Sequence, residues 1–316
     1  MVSSHIDLIT MGEAMVGLVP PEGESFRRST TLRRFTVGAE ANVAVGVSRL
    51  GLSAQFVGLV GDDLSGEAIR DDLVAEGVDI SHLHTHPTAH TGLLVRELPA
   101  LAQPRVGYAR SGSAGSHLDP SHLEAVGVEL ASVLHVSGIT AALGEGPKQA
   151  ALAGLRRIRA GGGVASCDLN YRARLWSTDQ AGPVLAELAE HADIVFGGEE
   201  EWLMVAGTTS VADHPLAKGR VLVVTSGSGD IRAYVGGEEI IRPTYLAAPV
   251  DVVGAGDAFV AGVLAARIAG SSWADALDQG AYCGARVVSA LGDWTNLPWG
   301  TGGLTTIPDP SGEVAR

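Results

Sequence analysis

The spacing of apolar residues along this chain alternates between two periods. "IDLITM" (residues 6–11), "AQFVGLVG" (54–61), "SVLHVSG" (132–138), "GVASCDLN" (163–170), "DIVFGG" (193–198) and "RVLVVTSG" (220–227) are short apolar runs of strand length. Between them lie segments with helical spacing. "AEANVAVGVSRLG" and "LSGEAIRDDLVAEG" close on Gly51 and Gly77, each placed as a glycine just past a helix end should be. "PKQAALAGLRRIRAGG" opens on Pro147 and closes on glycines, and "DQAGPVLAELAEHA" follows the same pattern. Strands alternating with helices predict an α/β fold: a doubly wound, mostly parallel sheet with helices on both faces.

Two places break this rhythm. "EAMVGLVP" with "TLRRFTVG", and "TGLLVREL" with "RVGYAR", alternate as strands do but have no helix between partners. They predict antiparallel strands standing off the main sheet, with two insertions, about residues 12–37 and 88–112, meeting as one small β-sheet lid on a single domain spanning 1–316. No internal repeat or low-complexity tract interrupts the pattern, and "TGGLTTIPDPSGEVAR" reads as a loose tail.

Composition narrows the partners. Of 316 residues, 46% are hydrophobic, enough for a large core without disulfides or structural metals. A formal net charge of −14 disfavours nucleic acid and anionic membrane surfaces as partners. An anionic ligand would therefore need locally placed arginines. Cys167 and Cys283 sit in apolar surroundings and read as small core residues in a reducing compartment. The first residues show no basic segment followed by a long apolar one, and no apolar run is long enough to span a bilayer, so a cytoplasmic protein is expected.

The chemistry concentrates in "PVDVVGAGDAFVAG" (249–262), where a glycine-rich turn becomes an apolar, buried helix. Gly254, Ala255 and Gly256 are small enough to let backbone N–H groups approach an oxyanion, and the helix start adds partial positive charge. Asp257 in the first turn would repel a bound phosphate, unless its task is to take a proton from the hydroxyl that attacks it. The same residue can also simply cap the helix. A dinucleotide-binding turn lacks its third glycine here, and no phosphate-binding loop of the G-x-x-x-x-G-K-[ST] type occurs. "VLVVTSGSGDIRAYVGG" ends a strand at Thr225 and offers Gly227 and Gly229 for close approach to nucleotide phosphates, or forms an ordinary hairpin turn. "SHLHTHPTAH", with His82, His84, His86 and His90, reads as a polar loop entering the lid rather than a metal site. Trp176, Trp202, Trp294 and Trp299 read as packing residues.

The chain resembles, over nearly its whole length, the ribokinase-like (PfkB) carbohydrate kinases. "DVVGAGDAF" resembles the C-terminal signature of that family, and "VGAEANVAVGVSRLG" with "VGLVGDD" resembles the N-terminal one. The resemblance implies ATP-dependent phosphorylation of a sugar hydroxyl, with Asp257 as base and Gly254, Ala255 and Gly256 as the anion hole. It places Gly38 and Asn42 on the sugar, and Asn170, Thr225, Gly227 and Gly229 on the nucleotide. Asp251 falls on a position linked to a monovalent cation such as K+, and Glu201 on one linked to water-mediated Mg2+. A homodimer through the lid is a further expectation.

Within the family, "YARSGSAGSHLDP" and "CDLNYRARLW" resemble 2-keto-3-deoxygluconate kinases. The residue chemistry points the same way. Tyr108 and Arg110 alternate on a lid strand and so share a face, while Arg172 follows a strand end, where α/β sheets bind ligands. A carboxylated sugar calls for a forked cation, which arginine supplies. Structural ion pairs are the competing reading of both arginines. Three positions depart from the family pattern: Val37 replaces a glycine, Leu94 a tyrosine and Gly198 an asparagine. The expected function is thus a sugar-acid kinase. A neutral-sugar or nucleoside kinase, a sugar-binding protein without catalysis, and a dinucleotide-dependent oxidoreductase are the alternatives.

Overall fold

The computed structural model describes residues 5–98, 105–227, 229–245 and 247–300, so the C-terminal "TGGLTTIPDPSGEVAR" segment lies outside the described residues. The chain opens with β1 (Leu8–Met11), β2 (Met15–Val19), β3 (Arg33–Val37), α1 (Ala39–Arg49), β4 (Ala54–Gly61), α2 (Leu64–Ala75) and β5 (Leu83–His86). It continues through β6 (Leu93–Glu97), β7 (Arg105–Ala109), β8 (Val133–Ser137), α3 (Gly138–Ala142), α4 (Glu145–Ala160), β9 (Val164–Asp168) and α5 (Thr178–His191). The last elements are β10 (Ile194–Gly198), α6 (Glu199–Ala206), β11 (Val221–Thr225), β12 (Ile231–Val235), β13 (Glu238–Arg242), α7 (Ala255–Ile268) and α8 (Trp273–Val288).

The main sheet runs β13-β12-β11-β10-β9-β8-β1-β4-β5. It is parallel from β11 to β5 and antiparallel only at the β11–β12–β13 edge. Strand alternation sorts the core into two layers. Leu8, Phe56, Val133, Phe196 and Val223 pack with residues of α1, α2, α7 and α8. Their neighbours Ile9, Val57, Leu134, Val195 and Leu222 pack with residues of α4, α5 and α6. Each fully buried aliphatic side chain contributes about 1.5–3 kcal/mol, and helices on both faces explain why the strands read as apolar throughout. The chain leaves β1 toward β4 on one side and later returns to β8 on the other. This puts a topological switch point, where open α/β sheets bind ligands, beside β1.

Helix α7 is apolar on every face because it lies between helices. A Cβ on Gly46 of α1 would come within 2.5 Å of the Ala261 Cβ, and one on Gly262 within 2.8 Å of the Gly280 Cα of α8. Side chains at these crossings would force the layer apart.

The two predicted insertions meet as one small sheet in the order β3-β2-β6-β7. β2 pairs antiparallel with β3 and parallel with β6, and β6 pairs antiparallel with β7. Its inner face carries a small cluster of Met15, Val37 and Leu94.

Three expectations are corrected. Helix α4 begins at Glu145, so Pro147 falls inside its first turn, where a missing N–H costs nothing. The histidine-rich segment contains the edge strand β5, parallel to β4, rather than loop alone; its polar side chains suit a strand with one unpaired edge. Trp299 is 66% exposed, with the Arg49 guanidinium 4.9 Å from its ring, so it covers a charge rather than filling a core. Trp202, by contrast, is fully buried and donates its Nε1–H to the Val223 carbonyl at 3.1 Å. Both cysteines are free and buried. No helix among the described residues is long and apolar enough to cross a membrane.

Candidate active site

A cleft of about 710 Å³ lies between the C-terminal ends of the parallel strands and the inner face of the small sheet. Gly38, Asn42, Tyr108, Arg110, Asn170, Arg172, Glu201, Thr225, Gly227, Gly254, Gly256 and Asp257 all line it. Residues as far apart in sequence as Glu13 and Asp293 are thus brought to one cavity by the switch point. Ala255, Gly229 and Asp251 are not in its lining.

The glycine turn owes its shape to Gly254. Its φ of 83° is left-handed, and a Cβ there would sit 2.4 Å from the Asp293 carbonyl oxygen. Helix α7 starts from this turn, and its first N–H groups have no intrahelical acceptor. A Cβ on Gly256 would meet nothing within 4 Å, so that side of the turn is open to the cleft. The arrangement can receive an anion on backbone donors.

Asp257 is 8% exposed, and its Oδ2 accepts a 2.7 Å hydrogen bond from Asn42 Nδ2. Burial is the main reason its carboxyl is pushed up to about 7; the Asn42 hydrogen bond and the charge of Arg172 oppose the rise, while Asp293 and Glu40 add to it. A carboxyl balanced this way exchanges protons near neutrality. Asn42 Oδ1 is buried with no partner among the described residues, leaving an acceptor for a ligand hydroxyl. On α1, Gly38 leads into the helix with φ 153°, and a Cβ there would meet the Glu13 carbonyl oxygen at 2.4 Å.

The opposite wall is the small sheet and the loop after β9. Tyr108 is 40% exposed, and Arg110 lies 5.5 Å from its ring centroid. Arg110 does not stand free: Nη2 pairs with the buried carboxylate of Glu13, which also accepts from the Ser113 hydroxyl. Arg172 is exposed, and among the described residues it makes a long 3.5 Å contact to the Tyr171 carbonyl. Among the described residues no carboxylate lies within ion-pair distance of it.

Acidic groups gather at the ends of β9 and β10. Asp168 is held well above the usual carboxylate range, first by burial and then by the charges of Glu201 and Asp257. Glu201 is also raised by burial, against the pull of its backbone donors. Those donors are Gly198 N–H on Oε2 and Tyr171 N–H on Oε1, both at 2.6 Å. With one backbone donor on each oxygen, Glu201 is held in place and keeps a lone pair on each for a water of a hydrated cation. Asp168 Oδ2 receives a 3.3 Å bond from Asn170 Nδ2, and the carboxyl keeps lone pairs for a hydrated cation. Asn170 itself has φ 37°, the one positive φ of a non-glycine residue among those described, and a buried, unpartnered Oδ1. Such local strain is common where a ligand must be met.

Asp251 is engaged by a cation of the protein itself. Its Oδ2 pairs with Nη2 of Arg96 at 2.6 Å, and both side chains are at most 2% exposed. The carboxylate that the resemblance linked to a monovalent cation thus has a guanidinium partner in the fold. At the nucleotide side, Thr225, Ser226 and Gly227 form the lining, while the Gly229 N–H turns back to the Ser226 carbonyl at 3.2 Å. Glu13, Arg96, Asp168 and Asp293 belong to the site although the sequence reading assigned them no role there. Of these, only Asp168 carried a signal, as the acid opening "DLNYR" at a strand end.

A doubly wound sheet with an anion-receiving turn, an adjacent buried carboxyl and a small sheet facing both defines a class of phosphoryl-transfer clefts. The particular family follows from comparison with known proteins. The family model described as pfkB family carbohydrate kinase matches residues 5–300, and this chain belongs to that family. It is 33% identical over 301 residues to 2-dehydro-3-deoxygluconokinase of Bacillus subtilis, covering 93% of each chain. It is 32% identical over 301 residues to a fructokinase of Klebsiella pneumoniae, covering 92% of this chain and 95% of that one. Among solved structures it is similar to aminoimidazole riboside kinase from Salmonella enterica, complexed with aminoimidazole riboside and an ATP analog. That match has a TM-score of 0.79 and 26% identity, and covers 93% of this chain and 97% of that one. The protein is an ATP-binding carbohydrate kinase.

Proposed function

We propose that this kinase transfers the γ-phosphoryl group of ATP to a hydroxyl of a sugar acid, 2-keto-3-deoxygluconate. The observation that carries the reading is Arg172, an arginine on the cleft wall with no carboxylate partner among the described residues. In a chain of net charge −14, such a guanidinium is suited to a ligand carboxylate. Similarity to the Bacillus subtilis enzyme supports the same substrate.

In this reading the sugar lies against Gly38, Asn42, Tyr108 and Arg110, with its carboxylate on Arg172. The ionised Asp257 takes the proton of the acceptor hydroxyl, whose oxygen attacks the γ-phosphorus as the bond to the β-phosphate oxygen breaks. The N–H groups of Gly254, Ala255 and Gly256 receive the charge on the transferred group. Thr225 and Gly227 flank the nucleotide. Asp168 and Glu201 would hold a hydrated Mg2+, which supplies charge neutralisation on the ATP phosphates; the spare lone pairs of Asp168 fit that role. Closure of the small sheet as a lid would exclude water.

A second reading has its own support. Glu13 already neutralises Arg110, so among the described residues the cleft offers one guanidinium without a carboxylate at ion-pair distance rather than two, as a neutral-sugar kinase would. Measurement of ATP consumption with 2-keto-3-deoxygluconate, fructose, ribose and aminoimidazole riboside decides between them. A higher kcat/KM for either neutral sugar or for the riboside than for the acid overturns the sugar-acid assignment.

A further inference from the structure

Among the largest fully buried side chains of the described residues, one is charged: Arg96 on β6 of the small sheet. Its fork reaches out of that sheet to two acids on the opposite side of the cleft. Nη2 pairs with Asp251 at 2.6 Å and Nη1 with Asp293 at 3.3 Å. Asp251 precedes the glycine turn and accepts from the Val253 N–H at 3.2 Å. Asp293 lies in the segment after α8, and its carbonyl oxygen is the atom that Gly254 packs against. The Asp293 Oδ2 accepts from Asn42 Nδ2 at 3.2 Å, and the same amide holds Asp257 at 2.7 Å. A continuous buried chain thus runs from the small sheet through Asp293 and Asn42 to the acid at the helix start.

Three carboxylates, Asp251, Asp257 and Asp293, share this pocket of low dielectric, and among the described residues the guanidinium within ion-pair distance of Asp251 and Asp293 is that of Arg96. Without Arg96, Asp251 and Asp293 would be buried charges with no cation, a costly arrangement. The Arg96 contact to Asp293 also ties down the segment whose backbone shapes the Gly254 turn.

We propose that Arg96 is a positioning residue, which clamps the small sheet to the glycine turn and, through Asp293 and Asn42, sets the place and ionisation of Asp257. The inference rests on the assignment of Asp257 as the base but not on the identity of the sugar. Asp257 is also faced by Glu40 from α1, by Asp168 from β9 and by Arg172 from the loop after it. Their side chains stay unchanged in the variants below, so a pH displacement can be traced to the Arg96–Asp293 pair.

The test uses the full chain with Arg96→Ala, Arg96→Lys and Asp293→Asn, and whichever sugar the wild type phosphorylates. Arg96→Ala should lower kcat at least tenfold, with KM for ATP within about twofold, and millimolar guanidinium should restore a measurable part of the loss. Arg96→Lys keeps the charge but not the fork, and should fall between the two. Asp293→Asn removes one negative charge beside Asp257 and leaves Arg96 paired with Asp251. It should move the acidic limb of kcat/KM to lower pH. Hydrogen exchange of the 251–257 segment provides a readout that needs no turnover: it should quicken in Arg96→Ala and slow again with guanidinium. If the wild type phosphorylated no sugar, the functional reading would fail and this exchange measurement would still decide the role of Arg96. Exchange unaltered in a folded Arg96→Ala, or an unmoved pH limb in active Asp293→Asn, overturns the proposal. Should Arg96→Ala not fold, Arg96→Lys and Asp293→Asn carry the test alone.

Discussion

Asn42 Nδ2 donates a 2.7 Å hydrogen bond to Asp257 Oδ2, joining the first helix of the chain to the start of the seventh across 215 residues. The bond fixes which oxygen of Asp257 is occupied and leaves the other for a ligand. Replacing Asp257 by Asn preserves the acceptor for Asn42 but removes the proton acceptor of the reaction. Asp257→Asn should therefore keep the fold and ATP binding while kcat falls roughly 10²- to 10⁴-fold. Steady-state kinetics with a folded variant check this; turnover close to wild type would remove Asp257 from the chemistry.

The same substitution should have a pH-dependent effect on stability. The folded protein raises Asp257 from 3.8 to about 7. An acid raised on folding binds its proton more tightly in the native state, so wild-type stability falls as pH climbs from the lower value to the upper one. Each pH unit in that window corresponds to about 1.4 kcal/mol at most. Asp257→Asn carries no such charge. Its thermal midpoint relative to wild type should be higher at pH 8 than at pH 5, and a difference that does not grow with pH would contradict the buried-carboxyl picture.

Catalysis should show the mirror image. A base with its midpoint at about 7 is ionised above that pH and protonated below it. The kcat/KM profile should be flat at pH 8 and fall toward tenfold per unit on the acidic side of 7. A limb near pH 4 would mean that Asp257 is not the group whose ionisation limits the reaction.

What could be read before the fold was known follows a physical division. Local signals were legible. The apolar runs of β1, β4 and β8–β11 and the glycines after α1 and α2 depend only on neighbouring residues. The insertions around residues 12–37 and 88–112 were readable as strands because they alternate. Helix α8 carries a weaker local signal in its apolar positions Leu277, Ala281 and Val287, masked by the longer apolar run of α7 beside it. The partners of charged groups were not legible. Arg96 sits in "LLVREL" as one polar residue among apolar ones, and nothing in that stretch names Asp251 or Asp293 as its counter-ions. Glu13 likewise meets Arg110 only because two insertions form one sheet. Distances across the sheet were the missing quantity, and they decided which arginine remained free.

The Arg96–Asp251 pair bears on salt dependence. With a guanidinium 2.6 Å from Asp251, that carboxylate has its cation already. Activity at saturating Mg2+ and matched ionic strength should be equal in potassium and sodium chloride. Clear activation by potassium would show that a monovalent ion shares the site despite Arg96.

The final prediction separates the two arginines of the cleft wall. Arg172 has no carboxylate within ion-pair distance among the described residues, whereas Arg110 is committed to Glu13. If Arg172 holds a substrate carboxylate, Arg172→Ala should reduce kcat/KM for 2-keto-3-deoxygluconate by about 2–3 kcal/mol, the scale of a charge-assisted hydrogen bond. Loss on a neutral sugar should be much smaller. Arg110→Ala works differently, because it leaves Glu13 buried and unpaired beside Ser113. Its damage should fall on acid and neutral sugars alike, and Arg110→Ala combined with Glu13→Gln should recover part of it by removing the stranded charge. Kinetics on both substrates with Arg172→Ala, Arg110→Ala and the double variant measure all three effects. Equal losses of acid and neutral sugar in Arg172→Ala would assign that arginine to the phosphates and take away the main support for a sugar-acid substrate.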